Sequence, residues 1–268
     1  MTPAHLGGSF MRDRSGRTRG ACILVVLALL APRGASAAEP NIKSIAAGLS
    51  YEHFSRSVVW PGDGAASKIL AHRVSARVDI GLAGGLVVRL DAGLSLNDFS
   101  GLTFDALPVS LELDGDPIRG FALGAEVTAP LKRLGAFEIG AAGRFVYSFG
   151  MSKSWPLEGF AVEGEATGQP SWMEISAGPR VAYLSTGRIV PYVEVSARMF
   201  WAGFRMSETL GDLGGEETKN VRGDFAVSVA LGADIRVTDR ISVKAKAGIM
   251  PAAGGAGAMV SIGALYGF

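Results

Sequence analysis

From residue 43 to the C-terminus, apolar and polar residues alternate almost one by one. In residues 70–82, Leu70, His72, Val74, Ala76, Val78, Ile80 and Leu82 share one parity, and Ala71, Arg73, Ser75, Arg77, Asp79 and Gly81 the other. Past Ala83-Gly84-Gly85 the pattern resumes, with Val88, Leu90, Ala92, Leu94 and Leu96 against Arg89, Asp91, Gly93, Ser95 and Asn97. Successive side chains of a strand point to opposite faces, so this period of two predicts two-faced strands. Ten are predicted, over 43–56, 68–82, 86–98, 118–129, 136–150, 171–184, 189–202, 223–237, 241–249 and 257–268. Each is long enough to cross a bilayer at a tilt, which takes about 9–11 residues.

The connections alternate in length. Short ones fall at 83–85, 130–135, 185–188 and 238–240, with turn residues such as Ser185-Thr186-Gly187-Arg188 and Thr238-Asp239-Arg240. Longer ones, rich in glycine and acidic residues, fall at 57–67, 99–117, 151–170 and 203–222, with a shorter glycine-rich link at 250–256. Short turns at one end and long loops at the other predict an all-β fold, an up-and-down antiparallel transmembrane β-barrel of about ten strands. Eight or twelve strands are the alternatives. Residues 104–113 are read as a loop excursion, and a further hairpin there would make twelve.

The placement of charge separates a membrane barrel from a soluble one. The polar face collects Glu52, Arg73, Arg77, Asp79, Arg89, Asp91, Glu126, Glu138, Arg144, Glu174, Arg180, Glu194, Arg198, Asp234, Arg236, Lys244 and Lys246. The apolar face is read as free of formal charge, with His53 and His72 its titratable side chains. A soluble sandwich or lipocalin-like barrel puts charge outside and aliphatics within, whereas an outer-membrane barrel inverts this. Aromatics lie near both ends of the apolar face: Phe137, Tyr183, Tyr266 and Phe268 toward the turns, and Tyr51, Phe121, Phe149, Trp201 and Phe225 toward the loops. Two such belts suit two membrane interfaces.

The N-terminus reads as an export signal over residues 1–37. Arg12, Arg14, Arg17 and Arg19 precede an apolar run at 21–31, and Ala35-Ser36-Ala37 supplies a small-residue cleavage site. The run is too short to span a bilayer, and Met11 is an alternative start to Met1. Cys22 falls in the removed segment. The residues before it, Thr18-Arg19-Gly20-Ala21, lack the hydrophobic residue of a lipid-anchor signal. The mature chain, 38–268, would then hold no cysteine for a disulfide, a metal or a nucleophile. It carries 21 basic and 24 acidic residues, a net charge of −3, which argues against nucleic acid as a partner.

The last strand carries the most specific signal. Val260, Ile262, Ala264, Tyr266 and the terminal Phe268 share one face. A terminal Phe with an aromatic two residues earlier resembles the last-strand signal of bacterial outer-membrane β-barrel proteins. The resemblance implies location in the cell outer membrane and contact with its lipid and lipopolysaccharide. It also implies insertion by the barrel assembly machinery, with Tyr266 and Phe268 as the assembly signal.

Candidate chemistry is sparse. The sequence holds no G-x-S-x-G, HExxH, Walker A or zinc-type spacing, so no catalytic residue, metal or cofactor is expected. His53 and His72 lie near Ser55, Ser57, Asp63 and Ser67, but two rim histidines on neighbouring strands are the simpler reading. The four long loops hold 12 acidic and 4 basic residues, densest at Glu112, Asp114 and Asp116, and read as a solvated acidic surface. Inside, nine basic and eight acidic residues must share a lumen little wider than one that side chains fill. Charges withdrawn from water persist only when paired. A lumen charge network is therefore expected, built on Arg73, Arg77, Asp79, Arg89, Asp91, Glu126, Arg144, Arg180, Glu194, Arg198, Lys244 and Lys246, with Arg77, Arg89 and Asp91 in one cluster. The expected function is non-enzymatic surface contact or adhesion, with a narrow channel next and an outer-membrane hydrolase third.

Overall fold

The computed structural model describes residues 41–61, 66–107, 110–113, 116–157, 162–184, 187–252 and 254–268. The expected signal segment, 1–37, and Asp63 and Asp114 lie outside the described residues. Among the described residues thirteen strands follow in chain order: β1 (Ile42–Val59), β2 (Ala66–Leu82), β3 (Val87–Ser100), β4 (Leu102–Phe104), β5 (Leu111–Leu113), β6 (Ile118–Leu134) and β7 (Phe137–Gly150). Then come β8 (Lys153–Pro156), β9 (Gly164–Tyr183), β10 (Ile189–Leu210), β11 (Leu213–Arg236), β12 (Ile241–Ala252) and β13 (Gly255–Gly267).

Ten of these form a closed antiparallel ring in the order β1-β2-β3-β6-β7-β9-β10-β11-β12-β13. The ring shuts where β13 pairs with β1, from Ala46 opposite Gly267 to Ser55 opposite Ala258. Closure leaves no edge of unpaired backbone groups, which a strand wall in lipid requires. The segment read as a loop excursion is the hairpin β4–β5, which pairs with itself and stays out of the wall. The count is therefore ten.

The faces follow the alternation. Large apolar side chains such as Leu49, Val74, Leu94, Leu123, Val195 and Leu231 are exposed on the outside, while Arg73, Arg77, Asp79, Glu174, Glu194 and Arg198 are buried within. The turn-side belt holds the Phe137–Tyr183 and Tyr266–Phe268 ring pairs, and the loop-side belt holds Phe121–Phe149. The reading of a charge-free outer face holds only through the strand centres. Lys43, Lys68 and Arg119 also face outward, exposed and near strand ends, where a long stem can lie along lipid with its charge in water.

Two connections expected as loops are largely strand. Residues 203–222 continue β10 to Leu210 and begin β11 at Leu213, and β9 begins at Gly164 rather than near 171. Pairing between β10 and β11 slips between Phe200 and Ala202, where Arg222-Gly223 bulges and Gly223 takes φ +67°. A bulge inserts a residue, so the strand that carries it, here β11, exchanges its inward and outward parities beyond that point, while β10 keeps its own. The wall thus rises on one side, and β8 pairs with β9 within that extension.

Candidate functional site

The lumen is filled in two storeys. The lower one is ionic. Arg73 lies 2.8 Å from Glu52 and 3.7 Å from Asp91, and Arg144 also holds Glu52. Asp79 receives Arg77 at 2.7 Å, Arg89 at 3.3 Å and Lys244 at 2.9 Å. Arg89 reaches Glu126 at 2.7 Å, Arg180 reaches Asp234 at 2.9 Å, and Lys246 reaches Glu194 at 2.8 Å. Arg198 donates to Glu174 at 2.5 Å and to Ser228 at 2.7 Å. Each of the twelve residues singled out from the sequence thus has an ionic partner here. The expected cluster divides differently, because Arg77 and Arg89 meet on Asp79 whereas Asp91 turns to Arg73. Glu52, Arg73, Arg89, Asp91, Glu126 and Arg144 are among the residues that surround a small cavity of about 40 Å³. On the turn side, a recess of about 340 Å³ lined by Ser44, Arg236 and Arg240 ends at Asp79 and Lys244.

The upper storey is aromatic, and the sequence reading missed it. Phe54 stacks on Trp172 at 5.1 Å and on Phe200 at 6.0 Å, while Phe204 meets Phe99 and Phe104, each at 5.4 Å. Val58, Trp60, Ile69, Leu102, Ile118, Val146, Met206, Val221 and Met250 also belong to this core. Packing is tight: a Cβ on Gly168 would lie 2.7 Å from the Phe204 ring. Arg56, wholly buried, crosses the core to Asp224 at 2.7 Å and lies over the Phe200 ring at 4.7 Å. The signal was present, since Phe54, Trp172 and Phe200 keep the inward parity of Glu52, Glu174 and Arg198.

A cap lies above. The β4–β5 hairpin contributes Leu102, Phe104 and Leu113 to the core, and Asp105 N–H donates to Glu217 Oε2 at 2.8 Å. Glu208, 1% exposed, has neither carboxylate oxygen hydrogen-bonded among the described residues. Burial, then the charges of Glu217 and Asp105, raise its pKa. Asp116, in contrast, is exposed. Hydrogen bonding to Lys153 at 3.0 Å, that ammonium's charge, and Trp155 Nε1 lower its pKa. Glu112 is exposed on β5.

His53 and His72 stand outside the lumen. Their rings are 4.8 Å apart, and His72 Nδ1 is 2.8 Å from the Tyr51 hydroxyl. No hydrogen bond among the described residues joins either ring to a carboxylate or a serine. At the C-terminus, Phe268 N–H donates to Ile45 O at 2.9 Å while its side chain is 83% exposed.

No protein-family model matches the chain, and no curated protein matches it either. Solved structures do share the fold. The outer membrane protease OmpT from Escherichia coli aligns with 88% of this chain and 100% of its own, at 12% identity and a TM-score of 0.50. The translocator domain of the autotransporter NalP from Neisseria meningitidis aligns with 92% of this chain and 94% of its own, at 10% identity and a TM-score of 0.50. These likenesses show the fold of outer-membrane β-barrels, and the closed ring with its apolar outer face fits a wall standing in lipid.

Proposed function

We propose that this protein is a sealed, non-enzymatic outer-membrane platform whose raised wall and cap make surface contacts. One observation carries the reading: the Glu174–Arg198 pair lies directly beneath the Phe54–Trp172–Phe200 stack, so two unlike plugs occupy one lumen. A channel needs neither plug. Paired outward residues of the raised wall, among them Glu165, Thr167, Arg205, Thr209, Glu216 and Thr218, offer a polar surface held by strand pairing rather than by loose loops. Ordered surfaces lose less entropy on binding, which favours contact with other surfaces.

Planar-bilayer recording tests the sealed lumen. The purified barrel is expected to give no steps of conductance, and regular steps would favour the narrow-channel reading. Displayed on a non-adherent bacterium, the protein is expected to increase surface attachment, and replacing residues 203–222 by a short turn should abolish that gain. Equal attachment with and without them would remove the platform role. Tyr266 and Phe268 keep the proposed role of assembly signal, supported by their exposed position at the closing strand. Phe268→Asp should leave export intact and deplete folded protein from the membrane, and wild-type folded levels would overturn that role.

A further inference from the structure

Two metal-binding side chains stand together where neither plug uses them. His53 in β1 and His72 in β2 are directly opposite in register. Directly paired residues in antiparallel strands have Cβ atoms about 4.5–5.5 Å apart and project from the same face. The rings follow suit, with centroids 4.8 Å apart and planes inclined at 56°. Both are partly exposed, and the pair is flanked by Val260 and Leu96, one step above Tyr51 and two steps below Lys68. It therefore sits at the outer, loop-side rim of the membrane band, open to water.

We propose that His53 and His72 form a surface site for one transition-metal dication of the copper, nickel or zinc type. Imidazole nitrogen suits these ions, whereas calcium and magnesium require oxygen donors. Each ring offers one nitrogen to an ion between them, and water takes the remaining positions. Tyr51 supplies the supporting contact. When His72 Nδ1–H donates to the Tyr51 hydroxyl, 2.8 Å away, Nε2 keeps its lone pair for the metal. Lys68, whose charge acts on His53, opposes a bound cation. The site is built into the wall by register alone, because a one-residue slip between β1 and β2 would put the rings on opposite faces.

The test uses the protein purified from outer membranes in detergent without an affinity tag, titrated separately with zinc, copper and calcium. Folding of every variant is checked by heat-modifiable gel mobility. One zinc or copper ion per barrel is expected, with no competition from calcium. H53N and H72N should each remove that stoichiometric binding, Tyr51→Phe should weaken it about tenfold, and Lys68→Gln should tighten it. Copper bound to the wild-type barrel should show imidazole nitrogen couplings in its paramagnetic resonance spectrum, which decides the matter even if a variant misfolds. Unchanged binding in the H53N/H72N double variant, copper without nitrogen ligands, or no saturation by either metal would overturn the site.

Discussion

Strand β10 lives in two environments, and the apolar and polar residues along it exchange faces between them. Below Trp201 its outward residues are Val193, Val195, Ala197 and Met199, and its inward ones Glu194, Ser196 and Arg198. Above Trp201 the outward residues are Arg205, Ser207 and Thr209, while Phe204 and Met206 are buried. The strand does not break and its alternation does not stop; only the apolar parity changes. Lipid outside demands apolar side chains there, and the charges left inside must then pair with one another. Water outside restores the ordinary arrangement of an apolar core under a polar skin. The membrane boundary is thus written into the chain as an inversion of phase.

The largest expected effect lies in the ionic storey. Arg198 is 1% exposed, and removing it leaves Glu174 buried without its charged partner. Arg198→Met should cost about 3–5 kcal/mol, the loss typical of breaking a buried pair. Urea unfolding of barrels refolded in lipid vesicles measures it. The double variant Arg198→Met with Glu174→Leu should recover most of that loss, because a well-packed apolar pair often replaces a buried ionic one without penalty. No recovery would mean that Arg198 acts through Ser228 rather than through Glu174.

The aromatic storey should respond as a soluble core does. Phe204→Leu removes several buried carbons but keeps a branched side chain in place, so a loss of about 1–2 kcal/mol is expected in the same assay. Neither this change nor Arg198→Met should open the lumen, since each leaves the other plug intact. Conductance should appear only when both storeys are thinned together, as in Phe200→Ala combined with Arg198→Ala and Glu174→Ala. Conductance from Phe200→Ala alone would show that the ionic storey does not seal, and the contrast between the two would lose its functional meaning.

The same inversion explains what could be read from the sequence. All ten wall strands were legible because each keeps one apolar parity across the membrane, as Val74 to Ile80 and Leu90 to Leu96 do. The raised wall was not legible, because the apolar outer face that marks a membrane strand ends where the outside turns polar. On β10 the predicted strand stops at residue 202, one residue after the belt tryptophan. On β11 it begins at 223, inside the Arg222-Gly223 bulge that exchanges the parities. The lumen charges were legible as a set but not as pairs. Arg77 is in register with Asp91, yet it bonds Asp79 on its own strand, a choice that side-chain reach makes and register does not. The aromatic core required following the inward parity past the belt, from Arg198 to Phe200 and Phe204.

The smallest expected effect is the one that tests the water-side storey by pH. Glu208 lies seven residues beyond Trp201, roughly 20 Å along the strand, and so stands clear of the membrane under the β4–β5 cap. Ala106 rests against the β10–β11 hairpin there, since a Cβ on Gly215 would lie 2.8 Å from its own Cβ. Burial, with Glu217 and Asp105 adding to it, raises the Glu208 pKa above that of the unfolded chain. The folded cap then binds a proton more readily than the unfolded one. Its stability is fullest below the unfolded carboxyl's pKa and declines as pH rises through the raised value. Glu208→Gln cannot ionise, so it should match wild type in mild acid and hold the cap more firmly near neutral pH. The Asp105 amide, which donates to Glu217, is the reporter. Its hydrogen exchange, corrected for the intrinsic pH dependence, should slow in the variant near neutral pH and be unchanged in acid. Equal protection at both values would mean that Glu208 is already neutralised by a partner, and the cap would then not sense pH through this carboxyl.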